Sequence, residues 1–258
     1  MTLSARYTEL SLAADLGEEV EAVWTSISDR AGSYRVLPDG RCDIIARFDA
    51  RQRPIADVTF VVTGPTARFY DVPIEPGMGF VGIRLRPGCF ERVLGFEPAE
   101  LTDATLIGPD ALSACPDLEL CMPARDENEL VAGLAAFVRR RAAGSAIMLD
   151  PLGRSVVRAF HASGGRLRIS KVAGMHDISE RTVQRLVVKA TGLPPKAFAA
   201  VLQFHRSLRL LRDHRLTLAG AALEAGFADQ AHMSRVFQRL GGFSPARISD
   251  VTLVSLNE

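Results

Sequence analysis

Apolar positions follow two different periods along this chain, and the change comes near Asp126. Before it, short runs of β-branched and aromatic residues are set off by Gly and Pro, the pattern of half-buried strands. Val58–Thr63 and Phe80–Leu85 are two such runs. Val36 to Ala46 reads as a Pro38-Asp39-Gly40 turn entering an apolar strand, and Gly77-Met78-Gly79 and Pro87-Gly88 read as loops. Several short strands spaced in this way predict an antiparallel barrel or sandwich over about residues 5–123.

After Asp126 the period becomes helical. Leu130, Leu134, Phe137 and Val138 form one apolar stripe of a helix that ends in Arg139-Arg140-Arg141, where cations complement the helix dipole. Such a stripe either packs on its own domain or seams a homodimer through residues 126–142. The small residues Ala142 to Ala146 predict an interdomain linker.

Beyond Asp150 the expectation is helix throughout. Asp150-Pro151 has the form of an N-cap with Pro at the first helical position, followed by buried Val156, Val157 and Phe160. Gly164-Gly165 breaks that helix. Ser170 to Met175 is a short helix, and Ser179 caps another that runs to about Ala190. Ala197 to Arg212 is a longer one. Thr217 caps a second short helix ending at Gly226, and Asp229 caps the last, to about Leu240. The order of short helix, turn, capped basic helix and Gly thus occurs twice. The fold class is α+β in two domains. A β-rich domain with a helical end spans 1–142, a linker 143–149, and an all-α domain with two helix-turn-helix units 150–258.

Charge sharpens this division. The net charge is +1, but residues 150–250 carry 16 Lys+Arg against 7 Asp+Glu, while residues 1–149 carry 15 against 22. A basic helical part joined to an acidic remainder fits a nucleic-acid-binding domain attached to one that binds something else. No run approaches the roughly 18 apolar residues of a membrane span, and Met1 to Arg6 shows no secretory signal, so a cytoplasmic protein is expected.

Two units in one polypeptide imply two recognition helices, enough for one chain to read two successive turns of the major groove. In the second unit Gly226 frees the turn, Phe227 plugs the core and Asp229 caps the helix. Gln230, Ala231, His232 and Arg235 then project from its N-terminal face. Gln pairs with adenine and Arg with guanine in the major groove. In the first unit Arg181, Gln184 and Arg185 hold the matching places. His232 is equally open to packing or capping, and either Arg185 or Arg235 to an internal salt bridge. Met233, Val236, Phe237 and Leu240 have core spacing. Lys171, Lys189, Arg206, Arg209 and Arg239 are candidate phosphate contacts.

These residues carry a resemblance. Pro151 to Ser249 resembles the DNA-binding domain of the AraC/XylS family of transcriptional regulators. The match lies in Ala222 to Phe227 (Ala-x-x-x-Gly-Phe), Asp229 to Phe237 (Asp-Gln-x-His-x-Ser-Arg-x-Phe) and Gly242 to Pro245 (Gly-x-Ser-Pro). Val187 replaces an aromatic residue of the family's first unit, and Ile248-Ser249 replaces its closing Tyr-Arg. Leu37 to Ile45 and Val81 to Gly88 look like the N-terminal domain of one AraC-type subfamily, which implies a cupin-like β fold. The resemblance implies double-stranded DNA as partner, RNA polymerase as a further one, and a small effector or dimerisation through the N-terminal domain. Trp24, Asp39, Asp43, Arg84 and Arg86 are the candidate effector residues, each with a structural salt-bridge, turn or core role as its alternative.

Two rival classes have less support. All five histidines lie after residue 160, so a histidine-ligated metal or a Ser-His-Asp triad in the N-terminal domain is excluded, and no enzyme or cofactor is expected. A cysteine-based thiol or metal sensor, on the pattern of a DNA-repair regulator, is the alternative function. Its four cysteines (Cys42, Cys89, Cys115, Cys121) lack the close pairs of zinc sites.

Overall fold

The computed structural model describes residues 5–11, 16–212 and 216–250; His214 and the side chain of Ser249 lie outside this set. Strands β1 (Ala5–Leu10), β2 (Val20–Ser28), β3 (Gly32–Val36), β4 (Cys42–Asp49), β5 (Thr59–Thr63), β6 (Tyr70–Ile74) and β7 (Met78–Leu85) come first. Helix α1 (Phe90–Leu94), β8 (Thr105–Ile107), α2 (Pro109–Ala114) and α3 (Glu127–Gly144) follow. Six strands form an antiparallel sheet in the order β1-β2-β7-β4-β5-β8, and β3 pairs with β6 as a separate ribbon.

The two faces of the sheet have different jobs. Along β4, Cys42, Ile44, Ala46 and Phe48 point to the main core, where Val81, Ile83 and Leu85 of β7 meet them. Strand alternation therefore sends Asp43 and Ile45 to the other face. Register sets Asp43 directly opposite Arg84 on β7 and opposite Thr63 on β5, so three polar residues stand side by side there.

Helix α3 closes the core face. Leu130, Leu134, Phe137 and Val138 are all buried in the same cluster as β4 and β7. The stripe is filled from its own chain, so it packs within its domain rather than offering an apolar seam through residues 126–142. Arg141 explains part of the basic end of α3. Its Nε donates to Val93 O at 2.8 Å and its Nη2 to Leu94 O at 3.0 Å, satisfying the carbonyl end of α1.

Helix α3 ends at Gly144, and regular structure resumes with α4 (Pro151–Ala162). Helices α5 (Ile169–Met175), α6 (Glu180–Thr191), α7 (Pro195–Arg212), α8 (Leu218–Ala225) and α9 (Gln230–Gly241) complete the second domain. Each expected cap is present. Asp150 accepts from Leu152 and Gly153 N, Ser179 from Thr182 N, Thr217 from Gly220 N and Asp229 from His232 N. Gly226 sits at φ +92°, and a Cβ there would lie 2.6 Å from Arg166 Cγ, so the turn requires glycine. Beneath it Phe227, Met233, Val236, Phe237 and Leu240 are buried. Phe204 of α7 meets Phe237 edge-on at 4.8 Å, tying α9 to the helix that joins the two units.

Candidate nucleic-acid interface

Helix α6 is amphipathic because Val183, Leu186, Val187 and Ala190 repeat at helical spacing and are buried. The opposite face is left to Arg181, Gln184 and Arg185, all exposed. They stand at i, i+3 and i+4, on one surface of the first turns. On α9, Gln230, Ala231 and Arg235 are exposed in the same way. Among the described residues, no carboxylate lies within salt-bridge distance of Arg181, Arg185 or Arg235. Three cations left in solvent next to helix N-termini suit phosphate or base contact.

His232 differs from its neighbours. Its ring packs edge-on against Phe227 at 5.3 Å, and its backbone N–H is the one capped by Asp229 at 2.6 Å. The cap uses the backbone N–H alone, and the ring, packed on Phe227, is half-buried. Of the wider basic set, Lys189 pairs with Glu91 at 3.5 Å and Arg206 with Glu224, whereas Lys171, Arg209 and Arg239 are exposed.

The β-rich domain grips both recognition helices at their C-terminal ends. At α6, Thr102 Oγ1 donates to Gly192 O at 3.1 Å and Gly88 N donates to Ala190 O at 2.8 Å. At α9, Arg35 Nη1 donates to Gly241 O at 3.2 Å; the same guanidinium lies over Phe69 at 4.3 Å and pairs with Asp71 at 2.8 Å. The N-terminal ends that carry the candidate readers stay clear.

Between these two grips, the loop from Leu37 to Arg41 docks on α7. Leu37 is buried in the helical core, and His205 Nε2 lies 2.7 Å from Pro38 O. Behind this loop, on the polar face of the sheet, is a cavity of about 110 Å3. Trp24, Asp39, Asp43, Tyr70, Arg84 and His205 all line it. Trp24 lies across Gly82, the residue opposite it on β7, where a Cβ would collide with the indole. Its Nε1 donates to Asp43 Oδ1 at 2.8 Å. Arg84 Nε stands 3.4 Å from Asp43 Oδ1 and 3.9 Å from Asp39 Oδ2.

Electrostatics divides the two carboxylates. Burial lifts the pKa of Asp43 and Asp39 adds to the rise, outweighing the pull of Arg84. At Asp39 burial also works upward, but Arg84 and Arg41 together win, and its pKa falls below the ordinary value. Desolvation lowers the pKa of His205, and that of His161 on α4 to about 4, with Arg41 also opposing the imidazolium at His161.

Four of the five candidate effector residues (Trp24, Asp39, Asp43 and Arg84) thus stand around one cavity. Arg86 is exposed and outside the lining. Sequence reasoning did not find Arg41, Tyr70 or His205 there. Arg41 follows the Asp39-Gly40 turn closely enough to have been a signal; His205 comes from the other domain and gave none. The cysteines are all buried, and burial raises each thiol, Cys89 and Cys121 to about 11, which disfavours thiolate chemistry. Among the described residues, no cluster of three His, Cys, Asp or Glu could hold a metal, and no helix is long and apolar enough to cross a membrane.

A basic all-α domain with two capped recognition helices, seated on a β-rich partner, defines a double helix-turn-helix protein. Residues 172–250 match the family described as a helix-turn-helix domain, and residues 9–106 match a domain of unknown function, DUF6597. Over these residues the helical domain is similar to AraC-type transcriptional regulators. It is similar to the HTH-type transcriptional activator RhaS of Escherichia fergusonii, 34% identical over 77 residues, which cover 30% of this chain and 28% of that protein. The chain thus matches little more than a quarter of the length of these relatives. Among solved structures, a probable AraC family transcriptional regulator from Rhodopseudomonas palustris is 25% identical over 41% of this chain and 100% of its own, with a TM-score of 0.36. ToxT from Vibrio cholerae is 9% identical over 98% of this chain and 100% of its own, with a TM-score of 0.46.

Proposed function

We propose that this protein is a sequence-specific, DNA-binding transcription regulator rather than an enzyme. In this reading residues 150–258 bind DNA, residues 143–149 connect, and residues 1–142 regulate. The observation that carries the reading is the pair of exposed N-terminal faces on α6 and α9, with Arg181, Gln184, Arg185, Gln230, Ala231 and Arg235 toward solvent while their helices' C-terminal ends are held. Basic side chains capture phosphates, and the two helices enter successive major-groove segments about 34 Å apart on one DNA face. His232, with its ring against Phe227 and half-buried, stands beside them as a further candidate contact at the same end of α9.

The test is a hydroxyl-radical footprint of the full chain on DNA selected from random sequence. The expected result is protection in two segments about one helical turn apart, with affinity falling steeply as salt rises. Protection of a single segment, or binding indifferent to salt, contradicts the reading.

A further inference from the structure

The main sheet has an open end at β8. Among the described residues β8 pairs with β5 alone, so its far edge carries no neighbouring strand. Two bonds show which groups that edge presents: Gly108 N donates to Phe60 O at 2.8 Å and Gly64 N to Ala104 O at 3.2 Å. Antiparallel alternation then bonds Leu106 to Val62 and turns the N–H and C=O of Thr105 and Ile107 outward. The strand is fixed at both ends. Asp103 Oδ1 accepts from Ala67 N at 2.7 Å on one side, and Gly108 leads directly into α2 on the other. Four backbone groups are thus held in line along an unpaired edge.

Edge strands are ordinarily guarded by charged side chains or proline. β8 reads Thr105-Leu106-Ile107 and has neither. Its two faces differ in chemistry. Ile107, 49% exposed, lies opposite Val61, which lies opposite Ile45, so an apolar row crosses three strands and ends in solvent. Leu106 points the other way, toward the core face that α2 covers, with Ala111 and Leu118 buried there. This second side is acidic. α2 packs on β8, and the turn Pro116–Cys121 packs on α2. Residues 97–119 carry six Asp+Glu and no Lys or Arg. Among the described residues, Asp110, Asp117 and Glu119 have no cation within salt-bridge distance. Leu120, 65% exposed on the same turn, suits the apolar stem of a long cation.

Together the two faces describe the strand that fits. In a segment paired with β8, the residues opposite Thr105 and Ile107 continue the apolar row, and those between them fall on the acidic side. We infer that the free edge of β8 is a docking site for an extended segment of a partner protein in which apolar residues alternate with Lys or Arg, added to the sheet as its next strand. The outward N–H and C=O groups of Thr105 and Ile107 supply the main-chain bonds, and the alternate side chains supply the selection. Charge decides against a second copy of this edge, which would bring the same carboxylates against Asp110, Asp117 and Glu119. The inference stands apart from the DNA-binding reading and shares no residue with it.

The probe is the labelled peptide acetyl-Lys-Val-Lys-Val-Lys-Val-Lys-amide, titrated with the full chain by fluorescence anisotropy. It should bind saturably with a Kd below about 1 mM. The same peptide with Glu in place of Lys should bind about tenfold more weakly or worse. N-methylation of the three Val removes the donors that face β8 and should cost about tenfold, whereas N-methylation of the inner Lys, whose N–H groups point away, should cost little. Amide hydrogen exchange should slow at Thr105 and Ile107 when the peptide binds. Ile107→Pro deletes an outward N–H without taking a bond from β5, and should weaken the peptide about tenfold. If that variant does not fold, Ile107→Lys, which sets a cation on the exposed edge, and the methylated peptides still decide. No saturation at about 1 mM, equal binding of the acidic or the Val-methylated peptide, or protection confined to other segments overturns the site. Self-association of the chain that Ile107→Lys abolishes, with no peptide binding, gives the edge to a second copy and overturns it as well.

Discussion

α6 and α9 begin and end alike. Ser179 and Asp229 cap their first turns, Gly192 and Gly242 close them in the left-handed conformation, and each follows a shorter helix across a tight turn. Their surroundings differ. The end of α6 receives a backbone donor from Gly88, a hydroxyl from Thr102 and an ion pair from Glu91, all from segments close to the main sheet. The end of α9 is held by Arg35, on the detached β3–β6 ribbon. The reading faces differ too, since α6 presents three polar side chains and α9 presents Gln230 and Arg235 while His232 turns onto Phe227. The first unit thus rests on a base of several contacts from beside the main sheet, and the second is held through the ribbon.

The largest expected effect tests that base. His161 packs on Phe198 behind the first unit, with its pKa lowered to about 4 by desolvation and then by Arg41. Above about pH 6.5 it is neutral in both folded and unfolded chains and makes no difference. Between about 6.5 and 4 the unfolded chain binds the proton and the folded one does not, so stability falls as pH falls. The loss approaches about 3 kcal/mol near pH 4. Chemical denaturation of the wild type and of His161→Phe across this range measures it. The variant should lose the part of the decline that belongs to this residue. Parallel curves would remove His161 from the account and weaken the picture of a desolvated base.

Next in size are the reading faces. Arg235→Ala and Arg185→Ala should each weaken binding to the selected DNA by roughly 1–3 kcal/mol while sparing random DNA, by fluorescence anisotropy. If the units read separate turns, the double variant should lose the sum. Equal losses on both DNAs would reduce the side chain concerned to a phosphate contact, and a strongly non-additive pair would undo the division into two independent readers.

Much of the second domain was legible because its signals are local. Asp150, Ser179, Thr217 and Asp229 each cap within three residues of their own position, and Gly226 marks its turn by its own backbone. The first domain was readable only where apolar alternation was clean, as in β5 and β7. Strand β2 was hidden because Ser26 and Ser28 are buried polar residues, which blur the alternation a strand needs to be seen. The ribbon β3–β6 pairs segments about forty residues apart, beyond the reach of any turn signal. Candidate residues of the cavity could be named as suspicious types, but Trp24 meets Asp43 across 19 positions and Pro38 meets His205 across 167. Only the docked fold brings them together, which is also why Arg86, plausible by type, stands apart.

The smallest expected effect compares the two caps themselves. Ser179 offers a neutral hydroxyl to Thr182 N at 3.1 Å, and Asp229 offers a carboxylate to His232 N at 2.6 Å. Both satisfy an orphan N–H, but the charged cap also meets the positive end of the helix dipole. Ser179→Ala should therefore cost about 1 kcal/mol and Asp229→Ala somewhat more, within the usual range of about 0.5–2 kcal/mol. In a chain of this size each kilocalorie corresponds to roughly 2–4 °C in Tm. Asp229→Asn keeps the acceptor and loses the charge, so it should recover most of the hydrogen-bond part of the loss and none of the dipole part. Added salt should narrow the gap between the wild type and Asp229→Asn, because screening acts on the dipole part alone. A larger cost at Ser179 than at Asp229 would mean that the first unit, not the second, depends more on its own local signals, and that the charge of the Asp229 cap adds little at the helix dipole.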